Sequence, residues 1–285
     1  MSKLPSGYTE LEYIQSSGTQ YINTGVVPTP NSRAVIDAQI TAQTTATVAY
    51  LGERSGSGSS DKTAFALWSM GTGANVSSDF FGNRVSKTMS TIGTRVLIDK
   101  NKASVTINGS TITNSAAAGT ATLPIFLFAI NEKGTSASYK ISARLYACQI
   151  YDNGTLIRNF IPCKNASGVV GLYDTVGAQF YANAGTGTFT AGPEILPPAA
   201  PTALQTVLAV VLQWAASENA DRYDVYRDGA KLGSTEGTQY VDTTPEANQT
   251  YVYTVKAVNG GGESAGTSIT VYTRSGYFEY KPLIE

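Results

Sequence analysis

Apolar residues recur at every second position along much of this chain, and turn residues break the pattern every few residues. Between 34 and 42, Ala34, Ile36, Ala38, Ile40 and Ala42 alternate with Asp37, Gln39 and Thr41. Val96 and Ile98 alternate with Arg95, Leu97 and Asp99. Val105 and Ile107 lead into Asn108-Gly109, and Ile112 follows. A period of two puts alternate side chains on opposite faces of a strand. Asn-Gly suits the tight turn between two such strands. Residues 215–221 are too short for a stable helix and read as a loop. The pattern predicts an all-β chain, with about a dozen strands before residue 192 arranged as a two-sheet antiparallel sandwich. The nearly all-apolar stretch 124–130 reads as a central strand buried on both faces. Thr175-Val176-Gly177-Ala178 reads as another hairpin connection.

Composition narrows the chemistry. Charged residues make up 14% of the 285 positions, against roughly a quarter in ordinary soluble domains. The polar strand faces must therefore draw on the 26 Ser and 35 Thr. The chain has no histidine, which removes Ser-His-Asp and Cys-His catalysis and every His metal site. A net charge of −1 provides no global basic field for nucleic acid. No run reaches the ~20 apolar residues of a membrane span. The first seven residues lack the apolar core of a signal peptide. Asn-x-Ser/Thr triplets starting at Asn75, Asn108, Asn153, Asn165 and Asn248 read as chance in a chain this rich in Ser and Thr.

Four prolines fall within residues 191–201 and mark a stiff linker. The predicted organisation is a first domain over 1–192, a linker over 193–200, a second domain over 201–273 and a tail over 274–285. Residues 1–192 carry 14 Lys/Arg and 10 Asp/Glu, whereas 201–273 carry 4 and 8. Cys148 and Cys163 flank the turn at Asn153-Gly154. Counting back from Asp152 opposite Thr155 sets Cys148 opposite Asn159 and Cys163 opposite Arg144. That separates the sulfurs by four rungs, about 13 Å, beyond the ~4.4–6.8 Å Cα separation a disulfide tolerates. Two free thiols are expected, with Cys148 facing the core beside Tyr146 and Ile150.

In the second domain, Trp214 ends the apolar run 207–214. Asp228-Gly229 forms a tight turn after Tyr223-Asp224-Val225-Tyr226-Arg227. Tyr251, Tyr253, Val255 and Ala257 then share one face. With Asn259 and Ser264 beyond, residues 201–273 resemble a fibronectin type III domain. The resemblance implies seven strands, a core tryptophan at Trp214 and a tyrosine corner at Tyr251. Arg227-Asp228-Gly229 is a hairpin turn and not the cell-attachment order.

Three segments distinguish the first domain: 4–25, which opens Leu4-Pro5-Ser6-Gly7-Tyr8; 150–163, Ile150-Tyr151-Asp152-Asn153-Gly154 through Pro162-Cys163; and 171–189, which opens Gly171-Leu172-Tyr173-Asp174. Together they resemble the concanavalin A-like, laminin-G-type jelly rolls of phage tail and virion proteins. The likeness spans residues 4–192. Tyr21-Ile22 and residues 187–190 are expected to pair and close the domain. The resemblance implies a virion-surface protein, oligomeric among other virion proteins, with host-surface glycan as a partner.

Glucanases of this fold carry Glu-x-Asp-x-Glu or Glu-x-Asp-x-x-Glu on one strand, and no such set occurs here. Glu10 and Glu12 are the nearest pair and read as solvated, so no enzyme activity is expected. Asp61, Asp79, Asp99 and Asn101 are candidate oxygen ligands for calcium, though no local motif gathers them. Residues 54–60, rich in Gly and Ser, read as a flexible loop without a phosphate-loop motif. For sugar binding, Trp68 is the only tryptophan of the first domain. If Phe65 and Leu67 face the core, Trp68 faces outward, with Asp79, Asn83 and Arg84 soon after. Those four are the candidate ligand-binding residues. Tyr277, Phe278 and Tyr280 are candidate interface residues in the tail. The expected function is non-enzymatic attachment of a phage virion to host carbohydrate. A purely structural virion subunit and a bacterial carbohydrate-binding adhesin are the alternatives.

Overall fold

Ala34, Ile36, Ala38 and Ile40 are all buried, and the strand Ser32–Ala42 that carries them crosses the centre of a large sheet. The structure is a computed structural model that describes residues 4–45, 47–115, 119–195, 202–206 and 209–273. Among the described residues there is no helix. The chain divides into two compact units. One is Ser6–Pro193; the other is Glu194–Glu285 together with Met1–Pro5. Residues 196–200 of the predicted linker, residue 201, and Tyr277, Phe278 and Tyr280, lie outside the described residues.

The first unit is a sandwich of two sheets. The larger runs Ser110–Thr113, Ser104–Ile107, Arg95–Asn101, Ser32–Ala42, Ser142–Asp152, Thr155–Asn165, Val170–Asp174 and Gln179–Tyr181. The smaller runs Ser136–Ser138, Ile130–Glu132, Thr47–Arg54, Phe65–Met70, Asn75–Phe80 and Asn83–Thr88. Inward residues of both, among them Ile36, Ile98, Ile107, Phe65, Leu67 and Ile150, form one core. Each such side chain contributes about 1.5–3 kcal/mol by leaving water. The Asn108-Gly109 turn and the hairpin after Asp174 form as the sequence predicts.

Four expectations are corrected. The run 124–130 is not one strand. It splits into Phe126–Leu127 and Ile130–Glu132 because Phe128 sits at φ +67. The hairpin register is also different. Asp152 does face Thr155, but a bulge between Ile150 and Tyr151 then shifts the ladder, so Cys148 faces Phe160. Cys163 faces Gly171 and Glu10. Both cysteines are buried free thiols, and burial pushes Cys148 up to about 12. A second bulge, between Leu145 and Ala147, turns Tyr146 away from the core that holds Cys148 and Ile150. A bulge inserts one unpaired residue and so inverts the alternation beyond it. Finally, Thr190–Ala191 pairs with Ile14–Gln15 and not with Tyr21-Ile22. The segment 19–21 still clasps the end of the unit: Ala184 N donates to Tyr21 O (2.9 Å), and Gln20 Nε2 donates to Thr188 O (3.0 Å).

In the second unit, Thr202–Thr206, Ala209–Gln213 and Gln239–Asp242 form one sheet. Ala230–Thr235, Arg222–Arg227, Thr250–Asn259 and Gly262–Glu263 form the other, with Thr267–Tyr272 also paired to Thr250–Asn259. Trp214, Val225, Tyr253 and Val255 share the core, and Trp214 meets Tyr223 edge-on at 5.4 Å. Tyr251 Oη accepts a hydrogen bond from Glu246 N (3.0 Å), the bond that defines a tyrosine corner. Asp228 and Gly229 hold φ +50 and +84, as a type I′ hairpin turn requires.

Candidate functional site

Along Phe65–Met70, Phe65 and Leu67 face the core while Ala66 and Trp68 face outward with Ala49 and Ile130. Trp68 is on the expected face, but it is only 1% exposed. Ladder pairing sets Ala66 opposite Asp79, and Asp79 opposite Arg84. Trp68 Nε1 donates to Asp79 Oδ2 (2.9 Å). Arg84 grips the same carboxylate through Nε and Nη2. The guanidinium carbons of Arg54 and Arg84 lie 5.4 and 5.3 Å from the Trp68 ring. A buried indole N–H and a buried carboxylate each need such partners. Three of the four predicted residues therefore meet in a closed cluster that does not offer the indole face to solvent. Asn83 is elsewhere, at the end of its hairpin. It faces Phe80 across the ladder, its backbone carbonyl accepts from Asn114 Nδ2 (2.9 Å), and its amide donates to Ser115 Oγ.

The residue that sequence reasoning missed is Tyr139. It follows the strand Ser136–Ser138, holds φ +55 and is 38% exposed. Ala49 N donates to its carbonyl (2.8 Å). Its ring meets Trp68 edge-on at 5.2 Å. Arg54 Nη2 donates to Tyr139 Oη (2.9 Å) and to Glu132 Oε1 (2.6 Å). A hydrogen bond from Ser138, opposed by partial burial and aided by Arg54, holds the Glu132 carboxyl below its usual range. Bulky residues rarely adopt left-handed backbone, which costs about 1–3 kcal/mol where it occurs. Here it aims a braced aromatic ring at an open groove of about 630 Å³, lined also by Thr45, Thr47, Ser138 and Lys140. Such a ring packs against the C–H face of a sugar, while hydroxyl and ammonium groups bond its hydroxyls. The only signal in the sequence is a lone aromatic residue after Gly134-Thr135-Ser136-Ala137-Ser138.

The other candidates have their own partners. Asp61 accepts from Gly56 N (2.7 Å) and Thr63 N (2.9 Å), which ties down the loop expected to be flexible. Arg54 is buried and ends the strand Thr47–Arg54 instead of belonging to that loop. Asp99 is held by Arg33, and Asn101 ends the strand Arg95–Asn101. Among the described residues no group of three or more His, Cys, Asp and Glu is placed to hold a metal. Glu10 is buried and not solvated: it pairs with Cys163, whereas Glu12 is half-buried within the field of Arg95.

No family model matches the chain. Among curated proteins, it is 39% identical over 100 residues to a poly(3-hydroxybutyrate) depolymerase of Ralstonia pickettii, covering 33% of this chain and 19% of the enzyme. It is 37% identical over 105 residues to chitinase Chi52 of Paenibacillus xylanexedens, covering 34% and 20%. The chain thus spans about a fifth of the length of these relatives. Among solved structures, an Fn3-like protein from Clostridium thermocellum matches at 25% identity and TM-score 0.25, covering 30% of this chain and 98% of that one. The CBM40 of a Ruminococcus gnavus IT-sialidase matches at 16% identity and TM-score 0.35, covering 53% and 92%. The neighbours are fibronectin type III-like and carbohydrate-binding β-sandwiches.

Proposed function

We propose that this chain is a non-catalytic carbohydrate-binding protein and that a sugar is held in the groove at Tyr139. The observation that carries the reading is the ring itself: exposed, set by a left-handed backbone, with its hydroxyl fixed by buried Arg54 and its edge braced by Trp68. A platform already held in place loses little freedom on binding. The named relatives include a chitinase, and the likeness covers only a part of each enzyme, which supports an accessory module over a catalytic one. In the finer form of this reading, the first unit is a concanavalin A-like jelly roll on a phage virion. There it works in several copies among other virion proteins and attaches to host-surface glycan. The resemblance of the 4–25, 150–163 and 171–189 segments supports that form, and the fibronectin type III-like unit acts as a spacer. Repeated copies raise the avidity of a weak single site.

Screening the full chain on a glycan array tests the binding role, with Tyr139→Ala as the control that loses the signal. Labelled antibody on intact phage particles tests the location. Particles that contain no copy of the chain would remove the virion form of the reading and leave the binding role standing.

A further inference from the structure

Three tight turns meet at one rim of the larger sheet, where the strand Ser32–Ala42 begins. Asn153 N donates to Asn31 O (3.3 Å) and Lys102 N donates to Ser32 O (3.0 Å), which ties the turns together. In the ladder, Asn101, Arg33 and Tyr151 lie opposite one another across three adjacent strands. Together with Asn31, Lys102 and Asn153 they line a cleft of about 340 Å³, within the range of small-ligand sites. This cleft is on the other sheet from the Tyr139 groove and at the opposite end of Ser32–Ala42, since that groove is lined by Thr45.

The cleft is built from cations, amides and one aromatic ring. Arg33 is fixed in place: Nε and Nη2 each donate to Asp99 at 2.8 Å, and the guanidinium lies 5.0 Å over the Tyr151 ring. Nη1 takes no part in those two bonds. Lys102, at φ +53, brings a second positive charge to the lip and makes no ion pair among the described residues. Asp99 is taken up by Arg33, and Asp152, the other carboxylate at this rim, accepts from Thr29 Oγ1 and Ser32 Oγ, so neither forms an ion pair with Lys102. Asn31, Asn101 and Asn153 provide groups that both donate and accept, which suits adjacent sugar hydroxyls.

We propose that this cleft is a second ligand site, for a carboxylate-bearing sugar unit. The carboxylate meets Lys102 and Nη1 of Arg33, the ring lies along Tyr151, and the three amides bond the hydroxyls. The site does not depend on sugar binding at Tyr139.

Calorimetric titration of the full chain with trigalacturonate, and with its methyl ester, tests this. The ester keeps the ring and removes the charge. A charge-assisted hydrogen bond exceeds the ~1.4 kcal/mol that corresponds to tenfold. The acid is therefore expected to bind at least about tenfold more tightly than the ester. Lys102→Gln should shrink that difference severalfold, the remainder resting on Arg33, while leaving the unfolding midpoint unchanged, and Asn101→Ala should weaken both ligands. Tyr139→Ala should leave acid binding intact. Equal binding of acid and ester, absence of acid binding, or full affinity in Lys102→Gln would overturn the proposal, as would loss of acid binding in Tyr139→Ala. Binding of the acid with no neutral glycan bound on the array would count against the Tyr139 reading alone.

Discussion

On the outer face of the smaller sheet, the side chains of Asp79 and Arg84 are 2% and 19% exposed, closed over Trp68. On the outer face of the larger sheet, those of Asp99 and Arg33 are 29% and 37% exposed, over Tyr151. Arg95 repeats the open arrangement with Asp37, its guanidinium 3.7 Å from the Tyr146 ring. The same three chemical groups (carboxylate, guanidinium, aromatic ring) therefore serve two ends. Where they are buried, they form a rigid support that presents Tyr139 in front of them. Where they are open, they are themselves the surface. Burial decides which, because an ion pair out of water is costly to break and one in water contributes little.

The largest expected effect tests the closed face. Asp79→Ala strips both Arg84 and the Trp68 N–H of their acceptor, and urea unfolding should show a loss of about 3–5 kcal/mol. A loss under ~1 kcal/mol would mean that the two faces do not differ.

Next come the two buried ionisable groups that face inward from these sheets. Lys100 donates to Ser78 Oγ (2.8 Å) and Asp79 O (2.9 Å), and burial, opposed by the nearby Asp79, pulls it down to about 7. The unfolded chain then holds a proton that the folded one lacks between about 7 and the ordinary lysine value near 10.5. Stability should rise with pH across that window, by about 1.4 kcal/mol per unit, and Lys100→Met should flatten it. Glu53 accepts from Phe65 N, and burial pushes it up to about 8, with Asp61 adding to the rise. Here the folded state holds the extra proton, so stability is greatest below the ordinary glutamate value near 4.5. It should fall as pH rises towards 8, and Glu53→Gln should remove that slope. Unfolding midpoints measured from pH 4 to 10 in both variants check the two signs.

The smallest effect belongs to the open face. Asp99→Asn should cost no more than about 1 kcal/mol, and added salt should shrink the difference further. A loss as large as that of Asp79→Ala would place both faces in one class.

Strand alternation made much of this legible. Parity along Phe65–Met70 put Trp68 outward, and the hairpin residues brought Asp79 and Arg84 close to it. What parity cannot register is a bulge or a residue with left-handed backbone. The extra residue at Tyr146 and the shift beside Ile150 inverted or offset the predicted faces, and Phe128 cut one apolar run into two strands. Tyr139 escaped for the same reason. It sits past a three-residue strand in a polar stretch, and its importance comes from Arg54 and Trp68, 85 and 71 positions away in the chain. Outward also proved different from exposed. Trp68 is covered by two arginines that no local pattern assigns to it.

The decisive measurement is calorimetric titration of the best neutral glycan from the array into the wild-type chain, Tyr139→Ala and Tyr139→Phe. Tyr139→Ala should lose at least about tenfold in affinity, the scale of one aromatic contact, while its unfolding midpoint stays close to wild type. Tyr139→Phe should retain most of the binding. Wild-type affinity in Tyr139→Ala would mean that the sugar is not held at Tyr139.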